Sequence, residues 1–113
     1  MGKLFADRIQ AGITVSGIFE TVGSSTEYSQ LSPLFCANAQ VRTDGNKFLF
    51  HHKVIIVDDS IVITGSTNYT GNAFTNNNEN MIIVYDPALA AVYNQEFDRQ
   101  WAIAQTPTNI TCP

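Results

Sequence analysis

The chain has 113 residues, 44% of them hydrophobic, enough for one small domain with a modest core. Ten acidic residues against six basic ones leave a net charge of −4 at pH 7, which argues against a broad electrostatic surface for nucleic acid but not against a pocket for one phosphate. The sequence holds no apolar run of membrane-spanning length and no Cys/His metal spacing. Its first residues, MGKLFADRIQAGITV, lack a continuous apolar run of the secretory type, so the compartment is open and the cytoplasm is the default expectation.

In chain order, KLFADRIQA (3–11) predicts the last turns of an amphipathic helix, with Leu4, Phe5 and Ile9 setting its faces and Gly12 ending it as a C-cap. No capping residue precedes it, and the chain reads as beginning inside a domain. ITVSGIFE (13–20) follows as a strand, so helix, glycine and strand form an α/β unit. TVGSSTEYS is a polar loop, long enough to lie beside a substrate groove. Residues 28–39 predict a short helix with Pro33 near its start. AQVRTDGN then gives a strand running into an Asp44-Gly45 turn.

FLFHHKVIIV and SIVITGS predict a hairpin closed around Asp58, Asp59 and Ser60. The Asn-rich stretch NYTGNAFTNNNEN is expected as an ordered functional loop between strands, and MIIVYD is the next strand. DPALAAVYNQEFDRQWAIA predicts a closing helix, with Asp86 as N-cap and Pro87 at the first helical position. Leu89, Val92, Tyr93, Phe97 and Trp101 are assigned to its core face. Residues 106–113 are expected to form a flexible, frayed tail. Cys36 and Cys112 are read as a buried thiol and a tail thiol, with a disulfide pinning the tail as the alternative. Asn68-Tyr-Thr and Asn109-Ile-Thr match the N-glycosylation sequon, a pattern without meaning outside a secretory context.

The chemistry concentrates at HHKVIIVDD (51–59). An apolar strand needs no polar entrance, yet this one opens with two imidazoles and an ammonium. Strand alternation puts His51 and Lys53 on one face and His52 on the other. Ser66 and Asn68, beyond the next strand, share a face in the same way, and hairpin pairing is expected to gather His51, Lys53, Ser66 and Asn68. A histidine serves as nucleophile or as acid and base near neutral pH. Lysine and asparagine donors hold phosphoryl oxygens whose charge rises during transfer.

This pattern, His51-x-Lys53-x4-Asp58-x6-Gly65-Ser66-x-Asn68, resembles the HKD motif of the phospholipase D superfamily at all six positions. The resemblance extends over residues 9–104. It implies an α/β fold, a mixed β-sheet flanked by helices, with a partial phospholipase D-like domain over residues 1–105. It makes His51 the nucleophile that forms a phosphohistidine, with Lys53 and Asn68 binding phosphate. Ser66 bonds within the phosphate pocket, and Asp58 and Gly65 are structural. Glu79 resembles the acidic residue that orients a catalytic histidine. The implied reaction is hydrolysis of a phosphodiester in phospholipid or nucleic acid, without metal or other cofactor.

The family builds one site from two HKD motifs, and this sequence holds one. His52 faces away and cannot be the second histidine. The second motif is therefore expected from a homodimer or from a further HKD domain. The alternative expectation is a non-catalytic half-domain that binds phosphate or a partner domain.

Overall fold

The computed structural model describes residues 2–21, 29–47, 52–66 and 78–113. It divides into two compact units, residues 1–50 with 100–113, and residues 51–99.

The first unit opens with helix α1 (Gly2–Gln10). Phe5 and Ile9, four residues apart, share a face and pack against a buried cluster of Leu31, Leu34, Ala39 and Val41. Leu4 is exposed. The stop signal at Gly12 is a Schellman motif. Gly12 N–H donates to the Ile9 carbonyl and Ile13 N–H to the Arg8 carbonyl, both at 3.0 Å. Gly12 has φ +93, a conformation that costs a side-chain-bearing residue free energy. Because Ile13 is used in this cap, strand β1 (Ser16–Phe19) is shorter than the apolar run predicts.

Helix α2 (Leu31–Cys36) buries Leu31 and Leu34 and leads into strand β2 (Gln40–Thr43). Strands β1 and β2 pair in parallel, Ser16 opposite Gln40. Beyond them, Asp44 is buried and saturated with donors. Its Oδ1 accepts from Thr21 N–H at 2.7 Å and from the Thr21 hydroxyl at 3.0 Å, and its Oδ2 from Asn46 N–H at 3.2 Å. Burial alone would raise this carboxyl's pKa, but the bonds from Thr21 and Asn46 outweigh it and leave the group below its usual range.

The cysteines correct the two-thiol reading: Cys36 and Cys112 form a disulfide with Cα atoms 5.5 Å apart. Residues 106–113 contain no helix or strand, as a frayed tail would, but they are held at two points. One is this bond, and the other is Ile110, which packs against the buried cluster.

The second unit holds an antiparallel sheet in the order β3-β4-β5. Its strands are β3 (Val54–Val57), β4 (Ile61–Gly65) and β5 (Met81–Tyr85). Val62, on the central strand, is fully buried. Strands thus pair in parallel in one unit and antiparallel in the other, the mixed pairing of this α/β fold.

The closing helix α3 (Pro87–Ile103) is capped as its sequence predicts. Asp86 Oδ1 accepts from Ala88 N–H at 2.9 Å and from Leu89 N–H at 3.4 Å. Leu89, Tyr93, Phe97 and Trp101 of the expected stripe are half-buried, and Val92 departs from it. Ala90 is fully buried, whereas Val92 is 60% exposed. At 3.6 residues per turn Val92 lies about 200° round the helix from Ala90. Trp101 is half-buried, with the Arg42 guanidinium 4.1 Å from its ring centroid and Arg42 Nη1 donating to its carbonyl at 2.9 Å. Among the described residues no helix is long and apolar enough to cross a membrane.

Candidate active site

The hairpin β3–β4 carries the motif. Val54 pairs with Thr64 and Val57 with Ile61, so Asp58, Asp59 and Ser60 form the connection. Asp58 and Asp59 have φ +53 and +54, the left-handed pair that a tight hairpin turn demands and that aspartate tolerates better than most residues. Ser60 N–H closes the turn onto the Val57 carbonyl at 3.1 Å. Asp58 serves this turn through its backbone. Asp59 Oδ1 accepts from Asn94 Nδ2 at 2.9 Å and ties the turn to α3.

At the other end of the hairpin, Gly65 pairs with Met81. Its φ is +151, and a Cβ there would lie 2.3 Å from the Asn80 carbonyl oxygen and 2.9 Å from Met81 Cα. Only glycine allows this approach of β4 to the start of β5. Ser66 uses the proximity. Its N–H donates to the Asn80 carbonyl at 3.0 Å and to Asn80 Oδ1 at 3.1 Å, and its Oγ accepts from Asn80 N–H at 3.0 Å. The Ser66 hydroxyl donates to Glu79 Oε2 at 2.5 Å. The Gly-Ser pair therefore clamps the Glu79-Asn80 pair, and the Glu79 carboxylate is positioned by the motif's own serine.

Asn80 was not singled out from the sequence, although its backbone and side chain both bond Ser66. The available signal was its place at the mouth of the strand pairing with Gly65-Ser66.

Lys53 stands half-buried immediately before β3, and His52 beside it is exposed. His51 and Asn68, the other two members of the expected constellation, lie outside the described residues, as do most of the Asn-rich loop and residues 22–28. The ladder amends one expectation. Because Val54 faces Thr64 across it, alternation assigns Lys53 to the face of Gly65 and carries Ser66 to the face of Thr64. Hairpin periodicity alone does not gather Lys53 with Ser66. The backbone leaves regular strand geometry at Gly65, between them in the ladder.

Residues 8–101 match the family described as cardiolipin synthase, PLD-like domain, and the chain belongs to this family of PLD-like domains. It is 42% identical over 73 residues to a mitochondrial cardiolipin hydrolase of Xenopus laevis, covering 65% of this chain and 35% of the relative. It is 36% identical over 86 residues to a phospholipase D of Rickettsia bellii, covering 76% of this chain and 43% of that one. Among solved structures, the phospholipase D family member Nuc from Salmonella typhimurium superposes with a TM-score of 0.87 at 28% identity. That match covers 96% of this chain and 73% of Nuc. The chain thus spans less than half the length of these two relatives.

Proposed function

We propose that this chain is the HKD-bearing part of a phosphodiesterase that works through a phosphohistidine on His51. The observation that carries the reading is the intact motif within a family match over residues 8–101, its Gly65-Ser66 segment bonded to Glu79. An imidazole nitrogen of His51 attacks phosphorus. The N–P bond forms, the P–O bond to the leaving alcohol breaks, and a second histidine protonates the departing oxygen. Water then attacks phosphorus and gives a proton to that second histidine, and the N–P bond breaks to release a phosphate monoester and free His51.

Lys53 and Asn68 bind the non-bridging oxygens, supplying the charge that a metal ion supplies elsewhere, so the reaction resists chelators. Glu79 holds the imidazole in the productive tautomer. The second histidine comes from a second copy of the chain or from another HKD domain. The lipid-named relatives and the net charge of −4 favour a phospholipid over a long nucleic acid as substrate.

The test pairs light scattering with hydrolysis of bis(p-nitrophenyl) phosphate in EDTA, wild type against His51→Asn. A dimer whose EDTA-resistant activity falls at least about a thousandfold in the variant supports the reading. Activity that survives in the variant overturns it. The share of the relatives that this chain spans favours one other reading, a half-domain that binds phosphate without turnover. A monomer that binds vanadate stoichiometrically and hydrolyses nothing would establish that reading.

A further inference from the structure

Two N-x-T tripeptides stand in the sequence, at Asn68 and at Asn109. The first overlaps the motif, where a glycan would consume the amide proposed to hold phosphate. The second lies outside everything the proposed reaction uses. The structure gives Asn109-Ile110-Thr111 a definite presentation. Asn109 is exposed and turned into the left-handed region, φ +60. Ile110 packs against the buried cluster of the first unit, and Thr111 is exposed. The tripeptide is anchored through its middle residue, with both recognition residues at the surface.

Its next residue is Cys112, bonded to Cys36. Both cysteines of the chain are spent in this bond, and neither is free. Disulfides of this structural kind form and persist in oxidising compartments such as the lumen of the secretory pathway, and are rare in the cytosol. The lumen is also where glycans are joined to Asn-x-Thr. The disulfide therefore supplies the context that the tripeptide lacks as a bare pattern, and it argues against the cytoplasmic default.

We propose that Asn109 is an N-glycosylation site on a chain that matures in an oxidising secretory compartment. The donor is an oligosaccharide linked to a polyprenyl diphosphate. Asn109 Nδ2 bonds to C1 of the first sugar as the bond from C1 to the diphosphate oxygen breaks. The lipid diphosphate leaves with that electron pair, and the amide nitrogen loses one proton. The Thr111 hydroxyl is the recognition element two residues on. The disulfide forms separately, the two thiols passing two electrons and two protons to a disulfide-bearing oxidant of the compartment.

The test begins with the protein isolated from its native source under alkylating, non-reducing conditions, then mapped by mass spectrometry before and after peptide N-glycosidase. The expected result is a Cys36–Cys112 linked peptide whose Asn109 carries a glycan and becomes aspartate on release. A second arm translates the full chain behind a fused leader into microsomes, where the mobility shift does not depend on correct folding. Asn109→Gln and Thr111→Ala each reduce the shift by one glycan, also in a chain carrying Asn68→Gln, and Thr111→Ser keeps it. Alkylated thiols at Cys36 and Cys112 in the native protein, an unmodified Asn109, or a shift that depends on Asn68 alone each overturn the proposal.

Discussion

Ser66 and Glu79, thirteen residues apart, are joined by a hydrogen bond of 2.5 Å in which the serine hydroxyl donates to the carboxylate. The same oxygen accepts from Asn80 N–H, so one side chain fixes both the acid and its neighbour. The carboxylate proposed to orient His51 is thus held by the residue that closes the motif's second strand. Serine at this position has a structural reason that does not require it to touch phosphate.

Ser66→Ala is expected to separate activity from stability. Both partners are exposed, so unfolding stability falls by no more than about 1 kcal/mol. Releasing Glu79 lowers kcat about tenfold, the equivalent of one charge-assisted bond of about 1.4 kcal/mol. Urea unfolding and steady-state kinetics on the same preparation check it. An unchanged kcat would detach Glu79 from the reaction.

Gly65→Ala meets a different obstacle. The new Cβ would lie 2.3 Å from the Asn80 carbonyl oxygen at a φ of +151. The start of β5 must move, and the Ser66 bonds to Asn80 move with it. A loss of about 1–3 kcal/mol in urea unfolding is expected, together with reduced activity. A variant as stable as wild type would show that β5 yields without cost.

Much of this was legible in the sequence because the signals were local. Asp86-Pro87 capped α3 and Gly12 ended α1 through bonds within a few residues. Asp58 and Asp59 marked a hairpin turn because few other residues tolerate φ near +55. What escaped was tertiary. Val92 was assigned inward by hydrophobicity, yet the inner face is marked by Ala90, a small residue whose burial no apolar stripe announces. Asn80 acts through the meeting of two strand ends. The Cys36–Cys112 bond depends on a proximity across 76 residues that only the folded chain creates.

Asp44 makes stability depend on pH. Its carboxyl is held below the usual range by the bonds from Thr21 and Asn46, against burial. A depressed folded pKa contributes stability above the unfolded value, about 3.9, and that stability is lost as pH falls through the lower folded value. Thermal melts from neutral pH downward should therefore show a wild-type decline below about pH 4 that Asp44→Asn weakens. At neutral pH the variant is expected to lose about 1–3 kcal/mol, because it can turn an N–H₂ toward donors that need an acceptor. Parallel acid profiles for the two proteins would remove Asp44 as a source of the decline.

Reduction of Cys36–Cys112 should cost more than any of these substitutions. The bond spans 76 residues, and the whole of the second unit, residues 51–99, lies inside the loop it closes. In the chain-entropy account such a loop stabilises the folded state by about 4.5 kcal/mol, a ceiling that relaxed or residually structured unfolded chains seldom reach. Reduced protein and Cys36→Ser/Cys112→Ser are both expected to unfold at markedly lower urea than oxidised wild type. They should also expose the 106–113 tail to proteolysis, since Ile110 remains its only other described anchor on the buried cluster. Equal midpoints for the oxidised and reduced forms would mean that the tail is held by Ile110 without need of the bond.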